Sequence, residues 1–373
     1  MAFSYWESNA WLEEVDLLVV GAGIVGLSAA LNARSLHPDW RIVVVDADPL
    51  GGGGSSRNAG FSCFGSATEL RSDRQTLGDE AALELVRKRW QGLQRLRSTF
   101  GDNALGHRVC GSVELFPCEG IEAPPSASEL EDLNLWIQPV TGVADTFIPV
   151  PFHSLPHLLG DARGPAILSR LEGLLDTGKM NRAFRSKAHA SGIDVLTGIR
   201  VESIDTAEGN CQLKISTLSR EEASIRPARL VVATNALGST LIPGIDVEPA
   251  VNHVLVTDEI PDFEFPHAVH IDAGYVYARP IENRMLIGGG RHWGLDETAT
   301  RNRLMALMHE LWPATEAAGI AYQWSGLLGV GKDRSPIVKR FAPNAAAAVR
   351  LGGMGVAIGM EVGRMAAEEI AMN

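Results

Sequence analysis

The sequence predicts an α/β chain, with a Rossmann-like dinucleotide-binding domain interleaved with a mainly antiparallel-sheet α+β domain. Three observations carry that expectation. Residues 17–46 read as strand, glycine turn, helix and strand. The stretches HVLVTDEI, GYVYARP and NRMLIGGG, within residues 253–290, alternate apolar and polar positions as half-buried strands do. A second glycine turn, in RLGGMGVAIGMEVGRMAAEEI (350–370), opens a helix at the C-terminus. A chain of 373 residues also exceeds what one compact core usually serves, so two domains are expected.

The first unit is the most specific. DLLVVGAGIVGLSAALNA places an apolar strand, Leu17 to Val20, before Gly21-Ala22-Gly23-Ile24-Val25-Gly26 and a helix rich in alanine and leucine. Gly21 permits a tight turn, Gly23 lets the backbone approach a pyrophosphate, and Gly26 lets helix and strand pack closely. The helix start offers free N–H groups and a partial positive charge to the phosphates. Asp46 closes the next strand, 20 residues after Gly26. An acid there accepts hydrogen bonds from a ribose 2′-hydroxyl and disfavours NADP. This unit alone leaves NAD and FAD open.

Beyond Asp46 and Ala47 the chain departs from a plain dehydrogenase pattern. VDADPLGGGGSSRNAGF (45–61) runs into four consecutive glycines, Gly51 to Gly54. Such a run costs backbone entropy and packs nothing, so it is expected where a backbone must pass close to a ligand. Ser55-Ser56-Arg57-Asn58-Ala59-Gly60 follows and reads as a loop wrapping a second polar part of the same ligand. A flexible surface linker is the competing reading.

Downstream, HLLGDARGPAILSRLEGLL (157–175) and NRAFRSKAHASG (181–192) read as helical, and IDVLTGIRVESID (193–205) as strands. CQLKIST and RLVVAT return the chain to the first domain. Pro280-Ile281-Glu282-Asn283 supplies a turn between strands of the second. The net charge of −12 argues against a nucleic-acid partner, since phosphate binding wants a basic face. Cys63, Cys110, Cys118 and Cys211 lie far apart without a Cys-x-x-Cys pair. Neither a metal site nor a disulfide framework is expected, and a reducing, cytoplasmic compartment fits. MAFSYWESNAWLEE lacks the regions of a signal peptide. The apolar run from Leu17 to Ala33 reads as buried strand and packed helix, not as a membrane span.

With those residues together, the chain resembles the D-amino-acid oxidase / glycine oxidase superfamily of FAD-dependent oxidoreductases over nearly its whole length. Four places carry the resemblance: GAGIVG, the Ser55–Gly60 loop, LVVATNALGS (230–239), and the C-terminal glycine turn. The resemblance implies that FAD is held by the fingerprint residues, Asp46, Ala47 and the Ser55–Gly60 loop. It adds Val201, where the family makes a backbone contact to adenine, Ala233, Thr234, Gly353, Met354, Gly355 and Val356. Cys63 matches no tethering position, so the FAD is expected to be noncovalent. The implied FAD-binding domain comprises 1–90, 151–240 and 321–373, and the substrate domain 91–150 and 241–320. The helix start near Gly355 would stabilise negative charge on a reduced flavin.

The resemblance also implies the chemistry. A neutral amine or amino acid loses hydride to flavin N5, water hydrolyses the imine, and molecular oxygen or another acceptor takes the electrons, with peroxide as the product of oxygen. An apolar pocket favours the neutral amine. One departure bears on the substrate. Amino-acid oxidases of the family carry Gly-Leu-Arg-Pro, whose arginine forks onto a carboxylate. Here WSGLLGVGKDRSPIV places Leu328 at that position. With SYWE near the N-terminus, the pattern is most similar to the γ-glutamylputrescine oxidase-type branch. Arg279, Arg291 and Arg334 are the arginines that could supply a clamp from another direction. Tyr275 and Tyr277 face one side of their strand, and Trp324 could wall the flavin. Tyr275, Arg279 and Trp324 are therefore the candidate catalytic residues. His253 and His292 are candidates for proton handling, and Lys332 for the flavin edge. A flavoprotein dehydrogenase, an NAD-dependent dehydrogenase and a non-catalytic flavin-binding subunit are the competing readings.

Overall fold

Leu17–Val20 is buried along its whole length, as a strand covered on both faces must be. It pairs in parallel with Ile42–Asp46 on one side and Arg229–Val232 on the other. Asp194–Thr197 and Ala345–Val349 extend this sheet, again in parallel, and Ile337–Ala342 closes one edge antiparallel. This computed structural model describes residues 3–117, 122–155, 164–207, 210–218 and 220–372. The apolar run 17–33 divides into the central strand and the helix Ile24–Leu36. Among the described residues, no helix is long and apolar enough to cross a membrane.

Glycines allow the close contacts of three helices beside the sheet. A Cβ at Gly26 would overlap the Gly21 carbonyl oxygen, so the fingerprint helix can lie close to its own strand only with glycine there. The C-terminal helix, Gly355–Ala371, crosses Ile24–Leu36 closely. A Cβ at Gly359 would sit 2.6 Å from Ile24 Cγ2, and one at Gly363 would sit 2.5 Å from Ser28 Cβ. The buried Ser28 hydroxyl donates to the Met360 carbonyl at 2.9 Å. From the other side comes the 22-residue helix Asp79–Phe100, whose Gly92 lies against the backbone of Ala357.

The second sheet has eight strands in the order Ile320–Val330, Glu248–Thr257, Arg284–Gly289, Val276–Ile281, Ala268–Ile271, Ser112–Glu114, Ala166–Ser169 and Phe147–Val150. All neighbours are antiparallel except Ala268–Ile271 and Ser112–Glu114. Burial alternates strictly along Val276–Ile281, as its sequence pattern requires. A three-stranded antiparallel sheet, Ile199–Asp205, Gln212–Thr217 and Arg220–Ile225, lies beside the parallel one. A small sheet of Phe61–Ser62, Gly173–Leu174 and Arg108–Val109 joins three segments distant in sequence.

The helical reading of 157–175 is corrected. Ala166–Ser169 and Gly173–Leu174 are strands, and residues 157–163 lie outside those described. Gly164-Pro165 interrupts any helix, and the remaining apolar run is short enough to be a buried strand paired on both sides. Ala166–Ser169 and Ile320–Val330 pair into the eight-stranded sheet, although the sequence groups residues 151–240 and 321–373 with the nucleotide-binding part.

The close helix crossing makes a prediction. Gly363→Val forces a side chain into Ser28 and the Val25 carbonyl, and overpacking of this kind costs about 1–3 kcal/mol. The expected result is a lowered Tm in thermal melts; an unchanged Tm would mean the two helices part at little cost.

Candidate active site

The carboxyl ends of Leu17–Val20, Ile42–Asp46 and Arg229–Val232 open onto one crevice, the place where parallel α/β sheets bind ligands. Gly21 turns there at φ +105°, and any Cβ would lie 2.7 Å from the Ala233 carbonyl oxygen. The Ala22 amide donates to Asp46 Oδ2 at 2.7 Å and the Asp48 amide to Asp46 Oδ1 at 2.9 Å. Asp46 thus shapes the turn as well as facing the crevice. Ile24 N–H donates to Ser55 Oγ at 2.9 Å, which ties the second loop to the start of the fingerprint helix.

All four glycines of the run line the crevice. Gly51 needs its left-handed φ of +85°, and a Cβ at Gly52 would press on the Asp48 carboxylate. A Cβ at Gly53 would meet nothing, so its backbone is bare toward the cavity. The loop that follows is latched. The Asn58 side chain donates to the Ser55 carbonyl at 2.7 Å, and its Oδ1 accepts from Gly60 N–H at 2.8 Å and the Thr177 hydroxyl at 2.9 Å. Arg57 donates to the Ser325 carbonyl at 2.9 Å.

The crevice, about 480 Å³, continues into a second chamber of about 350 Å³. The two share Gly54, Asn58, Leu327, Leu328, Gly353 and Val356 among their walls, so together they form one trough. Two long helices begin at it, Ile24–Leu36 and Gly355–Ala371; neither is capped by the residue before it, and Ser55 takes only the first amide of the former. Thr234 Oγ1 is buried without a partner on the first chamber's wall, and a Cβ at Gly353 would meet open space. Bare amides at two helix starts, an orphaned hydroxyl and a glycine-lined wall fit a long anionic dinucleotide.

The comparisons with known proteins agree. Residues 16–369 match the family model described as FAD dependent oxidoreductase, DAO. The chain belongs to that family. The β subunit of sarcosine oxidase from Rhodobacter capsulatus is 24% identical over 358 residues, covering 90% of this chain and 79% of that one. Two solved structures share the fold. L-proline dehydrogenase from P. horikoshii has a TM-score of 0.75 at 20% identity, over 96% of this chain and 94% of that chain. Glycine oxidase from Geobacillus kaustophilus has a TM-score of 0.74 at 18% identity, over 95% and 94%.

For an FAD-dependent oxidoreductase, the sequence-derived cofactor residues fall along the trough with two exceptions. Gly21 to Val25, Asp46, Ala47, Ser55, Ser56, Val201, Ala233, Thr234 and Gly355 line the first chamber. Arg57, Ala59 and Met354 line the second, while Asn58, Gly353 and Val356 line both. Gly26 lies behind the wall, in the helix–strand contact. Gly60 also lies off it, packed where no Cβ fits between Arg279 and the Leu175 carbonyl.

The candidate catalytic residues separate. Tyr275 lines the second chamber, as Tyr277 does beside it. Arg279 does not: its Nη1 donates to the carbonyls of Ala59, Gly60 and Leu175 at 2.9, 3.1 and 2.8 Å. Burial, helped by Arg108, pulls its guanidinium down to about 10. It is a strut between the loop and the Gly173–Leu174 segment. Trp324 also lies outside the trough, in the adjoining groove, where Nε1 donates to the Arg57 carbonyl at 3.0 Å. His253 bonds Ser325 Oγ through Nδ1 at 3.0 Å, and His292 packs against the Tyr275 ring at 4.8 Å. Lys332 is on the second chamber's wall.

Sequence reasoning missed the charged far wall. Glu69 and Asp73, one turn apart on the helix Ala67–Leu77, share two arginines. Arg89 reaches Asp73 at 3.0 Å and Glu69 at 3.7 Å; Arg334 reaches them at 3.2 and 3.5 Å. The spacing of Glu69 and Asp73 puts both on one helix face, but only the fold shows that this face is buried.

His270 on the chamber wall pairs with Glu172 behind it, Nε2 to Oε2 3.3 Å, both buried. Burial opposes both charges. The hydrogen bond and charge of Glu172, with Glu114 and Glu69 adding to them, nevertheless raise the His270 ring above its ordinary value. His270, Ser112 and the Gly65 amide keep Glu172 below its ordinary range. Cys63, Glu172 and His270 bring ligand atoms within 4.8 Å, as a metal site would. Glu172, however, already accepts from Phe64 and Gly65 N–H, Ser112 Oγ and His270. Its lone pairs are committed, and it serves as a hydrogen-bonded hub.

Two predictions result. Gly23→Val and Asp46→Ala are expected to purify with little flavin absorbance per protein; full occupancy in both would remove these residues from the site. Glu172→Gln should reverse the slope of stability with pH. In the wild type His270 stabilises fully below its ordinary value of 6.5 and loses this as pH rises through its raised value. Without Glu172 burial draws the ring below its ordinary value, so stability should instead grow as pH rises toward 6.5 and level off above it. Melts of both proteins across this range test the reversal.

Proposed function

We propose that the protein binds FAD noncovalently and oxidises a carbon–nitrogen bond of an amine or amino acid, releasing an imine that water hydrolyses. The observation that carries this is the continuity of the trough: a dinucleotide-shaped crevice opens into a separate chamber with apolar and charged walls. The oxidising power would come from bound FAD, as a hydride acceptor at N5 whose electrons would pass to oxygen with release of peroxide.

The chain's own groups support hydride loss from a neutral amine. Desolvation pushes the half-buried Tyr277 up to about 12, and burial raises the Cys63 thiol as well. Glu172 faces His270 and raises its affinity for a proton, and Glu69 and Asp73 are engaged by arginines. None of these is poised as a free base for a carbon-bound proton. Val254, Leu328, Leu351, Val356 and Ala357 form apolar walls that exclude water and favour the uncharged amine. The amide end of Gly355–Ala371 offers partial positive charge where negative charge develops.

One observation favours a second reading, with an acceptor other than oxygen. A groove of about 1010 Å³, with Trp324, Phe263 and Phe265 in its wall, lies on the other side of the Asn58-Ala59 loop from the chamber. An organic acceptor has room there. Anaerobic mixing with amines and amino acids should bleach the flavin, and readmitted oxygen should restore its colour with peroxide formed. Bleaching with slow reoxidation and no peroxide would favour the second reading, and flavin that no amine or amino acid bleaches would contradict both.

A further inference from the structure

We propose that Arg291 reads the carboxylate of the substrate, so that the protein acts on an amino or imino acid rather than on a carboxylate-free amine. This rests on the flavin reading above and adds the substrate class to it.

Besides His270, which Glu172 faces, five cationic side chains line the second chamber: Arg57, Arg89, Arg291, Lys332 and Arg334. Four are accounted for. Arg57 donates to the Ser325 carbonyl, and Lys332 is exposed at the rim. Arg89 and Arg334 divide Glu69 and Asp73 between them. Arg291 differs from all of these. Among the described residues it has no carboxylate within ion-pair distance and no protein acceptor for its N–H groups. Its one contact of note is the face of Tyr275, with the guanidinium carbon 4.4 Å from the ring centroid.

The charges on this wall do not balance by themselves. Three guanidiniums, Arg89, Arg291 and Arg334, face two carboxylates, Glu69 and Asp73; Asp333, also on the chamber wall, is tied to Arg350. The surplus positive charge rests on Arg291, which is half-buried and loses part of its hydration to the chamber wall. A desolvated cation without a counter-ion is costly unless a ligand supplies the anion. Stacking on Tyr275 occupies the guanidinium's face and leaves the N–H groups at its edge free. That edge is a planar fork, matched to the two oxygens of a carboxylate.

The backbone also holds Arg291 in place. Gly289 and Gly290 precede it at φ +122° and +85°, conformations that bend the chain out of the strand Arg284–Gly289. A Cβ at Gly290 would lie 2.6 Å from Thr300 Cγ2 and 2.8 Å from the Trp293 ring, so the turn is tightly packed. Across the chamber, position 328 offers only leucine. The fork that family amino-acid oxidases carry on that strand is replaced here by one from a different strand end. Arg279 cannot fill the role, because three backbone carbonyls already take its donors.

The test uses the purified flavoprotein. Benzoate, a carboxylate without an amine, is titrated while the flavin spectrum is recorded. The reductive half-reaction is then measured for matched pairs, glycine with methylamine and proline with pyrrolidine. Wild type is expected to show a saturable benzoate perturbation and to be reduced by at least one amino or imino acid faster than by its carboxylate-free partner. Arg291→Leu should retain flavin, lose the perturbation and raise the amino-acid KM about 30-fold or more, the cost of removing one partner of a buried charged hydrogen bond. Arg291→Lys keeps the charge without the fork and should fall between the two, which keeps the test open if Arg291→Leu folds poorly. Benzoate binding unchanged in both variants would overturn the proposal, as would loss of that binding in Lys332→Met instead. Bleaching of the wild type only by carboxylate-free amines would overturn it while leaving the flavin reading intact. A purified chain without flavin would overturn both.

Discussion

The structure depends on one contact: the glycine-mediated crossing of the fingerprint helix Ile24–Leu36 and the C-terminal helix Gly355–Ala371. Gly359 and Gly363 let the helices meet at Ile24 and Ser28 with no side chain between them, and the Ser28 hydroxyl bonds across the contact. Because the helices touch so near their starts, both N-termini open on the same trough. One end of the chain supplies the first dipole and the other end the second. The nucleotide fingerprint is therefore complete only once the C-terminal residues have docked.

The second chamber is built on the opposite principle. Its floor is a sheet whose side chains alternate, and its far wall is a set of buried charges that must be satisfied in pairs. Glu172 with His270, and Glu69 and Asp73 with Arg89 and Arg334, satisfy most of them. Arg350, at a left-handed φ of +64° just before the glycine turn, ties Asp246 and Asp333 on that flank. Arg291 is the exception on this wall, and its surplus charge selects for an anionic ligand.

Much of this was legible in the sequence where the signal is local. The strand, turn and helix of residues 17–36 announce themselves by apolar run and glycine spacing, and the alternation at Tyr275 and Tyr277 correctly places both rings on one wall. The glycine run at 51–54 reads as bare backbone beside a ligand, with a flexible linker as the competing reading, and all four glycines line the crevice. What stayed hidden depends on distant partners. Arg279 meets carbonyls from residues 59, 60 and 175, so its role as a strut has no trace near position 279. The strand Ala166–Ser169 is too short for its periodicity to separate it from helix. The burial of Glu69, Asp73 and Arg89 follows from two helices packing together, which spacing alone does not reveal.

The most direct measurement is ligand titration of the deflavinated protein by calorimetry, using FAD, FMN and NAD in turn. A trough whose nucleotide end lies at Gly21–Gly26 and whose far end lies beyond Gly353 should bind one FAD per chain. It should bind FMN far more weakly and NAD not at all. FMN binding as tightly as FAD would contradict the nucleotide end, and absence of flavin binding in a folded chain would contradict the account as a whole.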